Sequence, residues 1–260
     1  MASLVAFADI GDRLAAAPAD ALSLTVRGPF GGDVGPTADN LVLRALRELG
    51  AAAGIGEPRL AVDLDKRLPV AAGLGGGSSD AGAALKLARD LLAPDLDDQA
   101  LAAVAAQVGA DGPMCLHARA AWAEGRGERL SFAPQLPALP ALLVNPGVPS
   151  PTGAVYRAYD AGPAAGAGRP PPPRAWTIPA VIGWLAEQRN DLQAPAVRLQ
   201  PAIGEALDEV ARLDGARLTR MSGSGATVFA LFEDPSRARA AAVDLRRRRP
   251  SWWIRPTSLS

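Results

Sequence analysis

The segment Pro69-Val-Ala-Ala-Gly-Leu-Gly-Gly-Gly-Ser-Ser-Asp80 carries the clearest chemical signal in the chain. Gly73, Gly75, Gly76 and Gly77 lack Cβ atoms and admit φ > 0, so backbone N–H groups can converge on one point. The stretch that follows, Ala81-Gly-Ala-Ala-Leu-Lys-Leu-Ala-Arg-Asp-Leu-Leu92, has helical composition. Its unpaired first-turn N–H groups and positive dipole end would face the same point. An anion suits that geometry, a phosphate above all. A flexible turn before an ordinary helix would also use glycines. The strand-like Arg59-Leu-Ala-Val-Asp-Leu-Asp65 before the run, and the Ser-Ser-Asp cap and long helix after it, favour phosphate. The spacing is neither the Gly-Lys-Ser/Thr ending of a P-loop nor G-x-G-x-x-G. Met221-Ser-Gly-Ser-Gly-Ala226 forms a second glycine loop. Asp111, in Gly109-Ala-Asp-Gly-Pro113, is by itself an N-cap or turn residue.

Composition bounds the partners. The 260 residues are 48% hydrophobic and carry 27 basic and 27 acidic side chains, enough for one large domain or two small ones. Zero net charge argues against nucleic acid or an anionic membrane as main partner. No apolar run is long enough to span a bilayer, and Met1–Asp9 lacks the basic start of a signal peptide. A single cysteine, Cys115, excludes an internal disulfide and fits a reducing cytoplasm. The single histidine, His117, cannot build a His-based metal cluster. Both read as structural residues, and Trp252-Trp253 reads as packing.

Positioning elements follow from pattern. Strands are predicted at Leu4–Phe7, Ala21–Arg27, Arg59–Asp65, Ala141–Asn145, Ala216–Arg220 and Thr227–Phe232, with a strand, turn and strand across 120–130. Helices are predicted at Leu41–Leu49, stopped by Gly50, and from the glycine loop through Leu92. Others are predicted at Gln99–Val108, Ile178–Glu187, Ile203–Leu213 and Pro235–Arg248. Asp39 or Asn40 caps the first helix, and Ser78, Ser79 and Asp80 can cap the second. Residues 160–175 form a low-complexity loop, and a composition shift across 131–175 divides the chain into subdomains 1–147 and 148–260. Alternating strands and helices give an α+β or α/β protein.

The glycine loop, in the form Pro-x-x-Ala-Gly-Leu-Gly-Gly-Gly-Ser-Ser-Asp-Ala, resembles the second motif of the GHMP kinases. Lys66-Arg-Leu-Pro69 leads into it. Together with Gly109-Ala-Asp111, Glu124-Gly-Arg-Gly-Glu128 and Arg220–Phe232, this makes the chain similar to one family of that superfamily. Its members phosphorylate the 2-hydroxyl of 4-diphosphocytidyl-2-C-methyl-D-erythritol with ATP, in the non-mevalonate route to isoprenoid precursors. Asp39–Val42, Pro146–Thr152 and Asn190–Leu192 fit the same pattern, so the resemblance covers nearly the whole chain. It implies an α+β GHMP kinase fold, with an N-terminal part like ribosomal protein S5 domain 2 and a ferredoxin-like C-terminal part. It further implies that Pro69, Val70, Ala71, Ala72, Gly73, Leu74, Gly75, Gly76, Gly77, Ser78 and Ser79 bind ATP, the backbone of Ala72–Ser79 wrapping its phosphates. Ser78 and Ser79 would lie near Mg²⁺, with Asn40 and Lys66 near adenine and ribose. On residue type alone, Lys66 is a solvated charge at a strand end. Asp111 would act beside the acceptor hydroxyl, as proton acceptor or positioner, with Gly112 in place of the more usual valine loosening the local backbone. Tyr156 would stack on cytosine, although a core tyrosine fits the residue equally. Thr152 would lie beside the cytidine, and Gly223 and Gly225 by the phosphates or the methylerythritol; a tight strand connection is their other reading.

The resemblance also implies an earlier strand with Ala-Lys-Ile/Leu-Asn, whose lysine pairs with the catalytic aspartate, and a Gly-Tyr-His turn that holds cytosine. The chain as given starts at the next strand. Its start is therefore expected upstream of Met1, and the 260 residues as written are expected to bind ATP weakly and turn over poorly. Another GHMP kinase, for homoserine or phosphomevalonate, and an inactive nucleotide-binding protein of the same fold stand as alternatives.

Overall fold

A computed structural model describes residues 2–35, 39–133, 135–162 and 168–260. Two compact units are present: one of Met1–Val5, Gly11–Val70 and Gly75–Phe132, the other of Ala6–Ile10, Ala71–Leu74 and Ala133–Ser260. The long segment of the second thus begins at Ala133, whereas the composition shift put the boundary at 147/148. The reason is that Leu139–Asn145 hydrogen-bonds to strands near the C-terminus.

In the first unit, strands β1 (Ala2–Val5), β2 (Arg13–Pro18) and β3 (Ser23–Arg27) precede helix α1 (Leu41–Ala52), and strand β4 (Leu60–Asp65) is followed by helices α2 (Gly76–Leu92), α3 (Asp98–Val108) and α4 (Gly112–His117). Strands β5 (Ala121–Glu124) and β6 (Arg129–Phe132) complete it, forming a small sheet in the order β1-β5-β6. The other sheet has the order β2-β4-β3, with β4 antiparallel to β2 and parallel to β3. A parallel pair needs a crossover, and α1 supplies it. Alternation along β4 buries Leu60, Val62 and Leu64. Val42, Ala45, Leu46 and Leu49 on α1, and Ala81, Ala84, Leu85 and Ala88 on α2, repeat at i, i+3, i+4 and i+7 and fill the same core.

The second unit holds β7 (Leu139–Asn145), α5 (Thr152–Asp160), α6 (Ile178–Ala186), α7 (Gln193–Leu199) and α8 (Pro201–Ala211). They are followed by β8 (Leu218–Met221), β9 (Val228–Leu231), α9 (Pro235–Arg248) and β10 (Trp253–Leu259). Its antiparallel sheet runs β10-β7-β9-β8, with β7 buried along its whole length. Numbered within the unit, that order is 4-1-3-2, the ferredoxin-like arrangement expected here. Phe7 and Ser260 exchange backbone hydrogen bonds along the outer edge of β10. Ile203, Ala206 and Val210 of α8 and Ala238, Ala241, Ala242 and Leu245 of α9 cover the sheet.

Several elements escape the pattern reading. Alanine dilutes the strand character of β2, Pro256 interrupts β10, and α4, α5 and α7 are too short to show a period. The loop at 160–175 lies partly outside the described residues. Gly50 does not stop α1, which continues to Ala52. Its hydrogen instead admits the returning chain, because a Cβ there would stand 2.0 Å from the Gly56 oxygen and 2.9 Å from Pro58 Cδ. No helix among the described residues is long and apolar enough to cross a membrane. Alanine in a free helix gains about 0.8–1 kcal/mol over glycine. Gly50→Ala should nonetheless lower stability by about 1–3 kcal/mol, as overpacking does. A urea midpoint equal to or above that of the parent would refute this close approach.

Candidate functional site

The first unit holds the start of α2. Gly75 occupies the N-cap position in the left-handed region (φ +65°), and no side chain caps the helix. Ser78 and Ser79 already lie inside the helix, so the expected capping by Ser78, Ser79 and Asp80 does not occur. The Ser79 N–H donates to the Gly75 oxygen at 2.9 Å. Among the described residues, the N–H groups of Gly76, Gly77 and Ser78 find no acceptor, and they carry the positive end of a helix running from Gly76 to Leu92. Asn40 caps α1, its Oδ1 accepting from Val42 N at 2.9 Å.

Beneath this turn lies an ion cluster that no sequence spacing announced. The Lys66 ammonium donates to Asp12 Oδ2 at 2.5 Å and to Asp80 Oδ2 at 2.8 Å. The three side chains are 5%, 1% and 6% exposed, respectively. Asp12 Oδ1 accepts from the Arg67 and Leu68 N–H groups at 2.5 and 2.8 Å. Lys66 is therefore not a solvated charge at a strand end, and its ammonium is engaged by two carboxylates. One cation facing two anions leaves the cluster formally at −1. Burial accordingly pushes the Asp80 carboxyl from 3.8 up to about 6, although Lys66 pulls the other way and Asp12 adds to the rise.

Asp111 precedes α4 and makes no side-chain capping bond. Among the described residues no hydrogen bond or ion pair engages its carboxylate. It reaches the surface, yet flanking protein displaces enough water to raise its pKa. Gly112 does not loosen this segment. A Cβ there would fall 1.9 Å from the Ala105 oxygen, so the glycine lets α4 press against α3. Cys115 is buried beside Gly75, its Sγ 3.9 Å from that residue's oxygen. Burial pushes the thiol up to about 11, so it stays protonated and structural, as expected. His117 packs edge-on against Phe132 with ring centroids 5.2 Å apart.

The second unit holds the front of the glycine run and the second glycine loop. Ser222 Oγ donates to the Gly73 oxygen at 2.8 Å, and Thr227 N donates to the Ala72 oxygen at 3.1 Å. Gly73 (φ +70°) has no room for a side chain, since a Cβ would lie 2.5 Å from the Ser222 oxygen and 2.7 Å from the Gly225 oxygen. Gly223 and Gly225 thus sit in a tight β8–β9 connection that also grips Ala72 and Gly73. Asn190 braces it, donating to the Met221 and Gly223 oxygens at 2.9 and 2.8 Å. Thr152, at the start of α5, shares a 2.9 Å hydrogen bond with Ser224 Oγ. Ser150 Oγ donates to the Ser224 oxygen at 2.6 Å. Tyr156 is 43% exposed on α5, which rules out a core tyrosine. Of the expected residues, Pro69, Val70 and Gly75 through Ser79 belong with Asn40, Lys66 and Asp111 to the first unit, and Ala71 to Leu74 with Thr152, Tyr156, Gly223 and Gly225 to the second. Pattern reading missed Asp12, Asp80 as an ion-pair partner, Ser150, Ser222 and Ser224. The last two lie in a motif it had marked, whereas nothing in the spacing links Asp12 to Lys66.

Residues 40–119 match the GHMP kinases N terminal domain family, and residues 178–250 match the GHMP kinases C terminal family. A 4-diphosphocytidyl-2-C-methyl-D-erythritol kinase of Caulobacter vibrioides is 55% identical over 100% of this chain and 91% of its own length. One of Methylobacterium radiotolerans is 52% identical over 99% of this chain and 89% of its own. A crystal structure of 4-(cytidine 5'-diphospho)-2C-methyl-D-erythritol kinase superposes with a TM-score of 0.78 at 36% identity, covering 100% of this chain and 90% of that one. A homoserine kinase from Cytophaga hutchinsonii (TM-score 0.69, 19% identity, 97% of this chain and 87% of that one) shares the fold.

The ion cluster sets a pH dependence. Folded Asp80 takes its proton near pH 6 and unfolded Asp80 near 3.8, so between those values the folded state holds the extra proton. Stability from this group is therefore greatest at the acid end of the window and falls as pH rises through about 6. Relative to Asp80→Asn, the parent should lose unfolding free energy between about pH 4 and about pH 7. Parallel curves in urea titrations would overturn the assignment. Lys66→Met, which strands two buried carboxylates, should cost about 3–5 kcal/mol at neutral pH.

Proposed function

The chain belongs to the 4-diphosphocytidyl-2-C-methyl-D-erythritol kinase family of the GHMP kinases, and on that premise we propose how its residues perform the reaction. The γ-phosphoryl group of ATP passes to the 2-hydroxyl of 4-diphosphocytidyl-2-C-methyl-D-erythritol, a step on the non-mevalonate route to isoprenoid precursors. Phosphoryl transfer asks little covalent chemistry of a protein. It asks for an in-line hydroxyl and for stabilised charge on the transferring group.

The observation that carries this reading is the open start of α2. Among the described residues the N–H groups of Gly76, Gly77 and Ser78 are unpartnered behind a left-handed Gly75, as a phosphate-binding turn requires. The backbone from Ala72 to Ser79 then holds the ATP phosphates. Pro69, Val70 and Ala71 lead the chain into that turn, and Asn40 lies on the nucleoside side. Mg²⁺ prefers oxygen ligands and keeps several waters, so two hydroxyls suffice on the protein side. Ser78 and Ser79 fit that need: neither caps the helix, and no described side chain bonds the Ser78 hydroxyl. The ion, when bound, neutralises charge on phosphate oxygens.

Asp111 faces the acceptor. Its raised pKa suits a carboxylate that takes or orients the hydroxyl proton. Thr152 and the exposed ring of Tyr156 serve the cytidine, the ring by stacking. Gly223 and Gly225 supply the left-handed turns (φ +52° and +84°) that let the backbone of the second loop approach the phosphates or the methylerythritol.

A substrate panel with ATP tests the reading. The diphosphocytidyl alcohol should be phosphorylated, with homoserine and phosphomevalonate left untouched; the reverse pattern would sink it. Asp111→Asn should lower kcat by about 10²–10⁴-fold with little change in KM for ATP.

A further inference from the structure

The cluster of Asp12, Lys66 and Asp80 has a charge balance that decides what Lys66 can do. An ammonium that draws in nucleotide phosphates needs positive charge to spare. Lys66 has none, since two carboxylates lie at 2.5 and 2.8 Å from its nitrogen and the cluster is formally −1. Nor is net stability its evident contribution. Desolvating buried ions costs about as much as their attraction returns. What such a cluster does supply is geometry.

The geometry ties three pieces of chain together. Asp12 lies just before β2, Lys66 just after β4, and Asp80 near the start of α2. The far oxygen of Asp12 also holds the N–H groups of Arg67 and Leu68, the approach to the glycine run. The Lys66 backbone is locked as well, its N–H donating to the Arg27 oxygen at 2.7 Å and its oxygen accepting from Phe30 N at 3.1 Å. At the other end of the side chain, the ammonium nitrogen stands 3.3 Å from where a Gly76 Cβ would be. It therefore lies directly under the first residue of the uncapped turn.

We propose that Lys66 is a positioning residue of the phosphate site: through Asp80 it holds the first turn of α2 so that the N–H groups of Gly76, Gly77 and Ser78 point at the phosphoryl donor, and it does not itself bind the nucleotide. This inference rests on the phosphate-site reading above. Rigid support of this kind matters because a displacement of about 1 Å at a reacting group can cost about 10²-fold in rate.

Asp80→Ala separates the two roles by sign. It removes one anion and leaves Lys66 with Asp12 alone. A nucleotide-binding lysine would then attract ATP more strongly, whereas a positioning lysine would lose its hold on α2 and ATP would bind more weakly. Equilibrium titration with ATP, run beside urea unfolding, reads the difference. The expected result is a Kd for ATP raised about tenfold, with KM for the diphosphocytidyl alcohol unchanged. Asp80→Asn keeps an oxygen acceptor for Lys66 and should recover most of the loss. Should Asp80→Ala fail to fold, Asp12→Ala frees Lys66 from the other side and should weaken ATP binding in the same direction. A folded Asp80→Ala or Asp12→Ala protein that binds ATP as tightly as the parent, or more tightly, overturns the inference alone. A parent chain that does not bind ATP overturns the phosphate-site reading and this inference with it.

Discussion

The ammonium of Lys66, shared between Asp12 and Asp80, is the contact on which the first unit's architecture converges. It joins the entry to β2, the exit of β4 and the first turns of α2 at a single buried nitrogen. A charge buried this deeply survives only when its partners are in place. The strand end, the glycine run and the helix must therefore be assembled together. The positive end of α2 gains from the same arrangement, since the net negative cluster lies near its N-terminus.

Small residues then set how closely the remaining pieces approach. Ala81, Ala84 and Ala88 keep the inner face of α2 thin. Gly112 lets the segment after Asp111 press on α3, where any side chain would meet the Ala105 oxygen. Asp111 is carried at the end of that contact, its backbone oxygen accepting from Cys115 N at 2.9 Å and its side chain making no capping bond. Such close approaches leave no slack, which explains why a methyl group at Gly50 or Gly112 would be felt across the core.

The glycine run performs two tasks along one short stretch. Its front, Ala71 to Leu74, is built into the second unit, gripped by Ser222 and Thr227. Its back, from Gly75, is the start of α2 in the first. The ferredoxin-like sheet supplies the grip, because its β8–β9 connection is tight enough to place Ser222 and Gly225 against Gly73. The second loop thus braces the front of the first, and Asn190 holds the brace in turn.

Much of this was legible in the amino-acid sequence. Local rules read the elements with a strong period: α1, α2, α3, α9, β4 and β7 fall close to their expected bounds. Motif spacing marked both glycine loops and Asp111 and pointed to the kinase family. The sequence by itself determined the chemistry on offer, because a glycine's missing Cβ and a carboxylate's charge are properties of single residues. Tertiary structure decided the partners. Asp12 and Lys66 are far apart along the chain, and only the pairing of β2 with β4 brings them together. The same holds for Ser222 and Gly73. It also decided what the glycines are for: Gly50 and Gly112 read as a stop and a weak point, yet they are close contacts whose cause is a carbonyl from elsewhere in the fold. A pattern along one chain records its own period and its own charges. It does not record which distant atom will stand 2 or 3 Å away, and that distance settles burial, pairing and pKa.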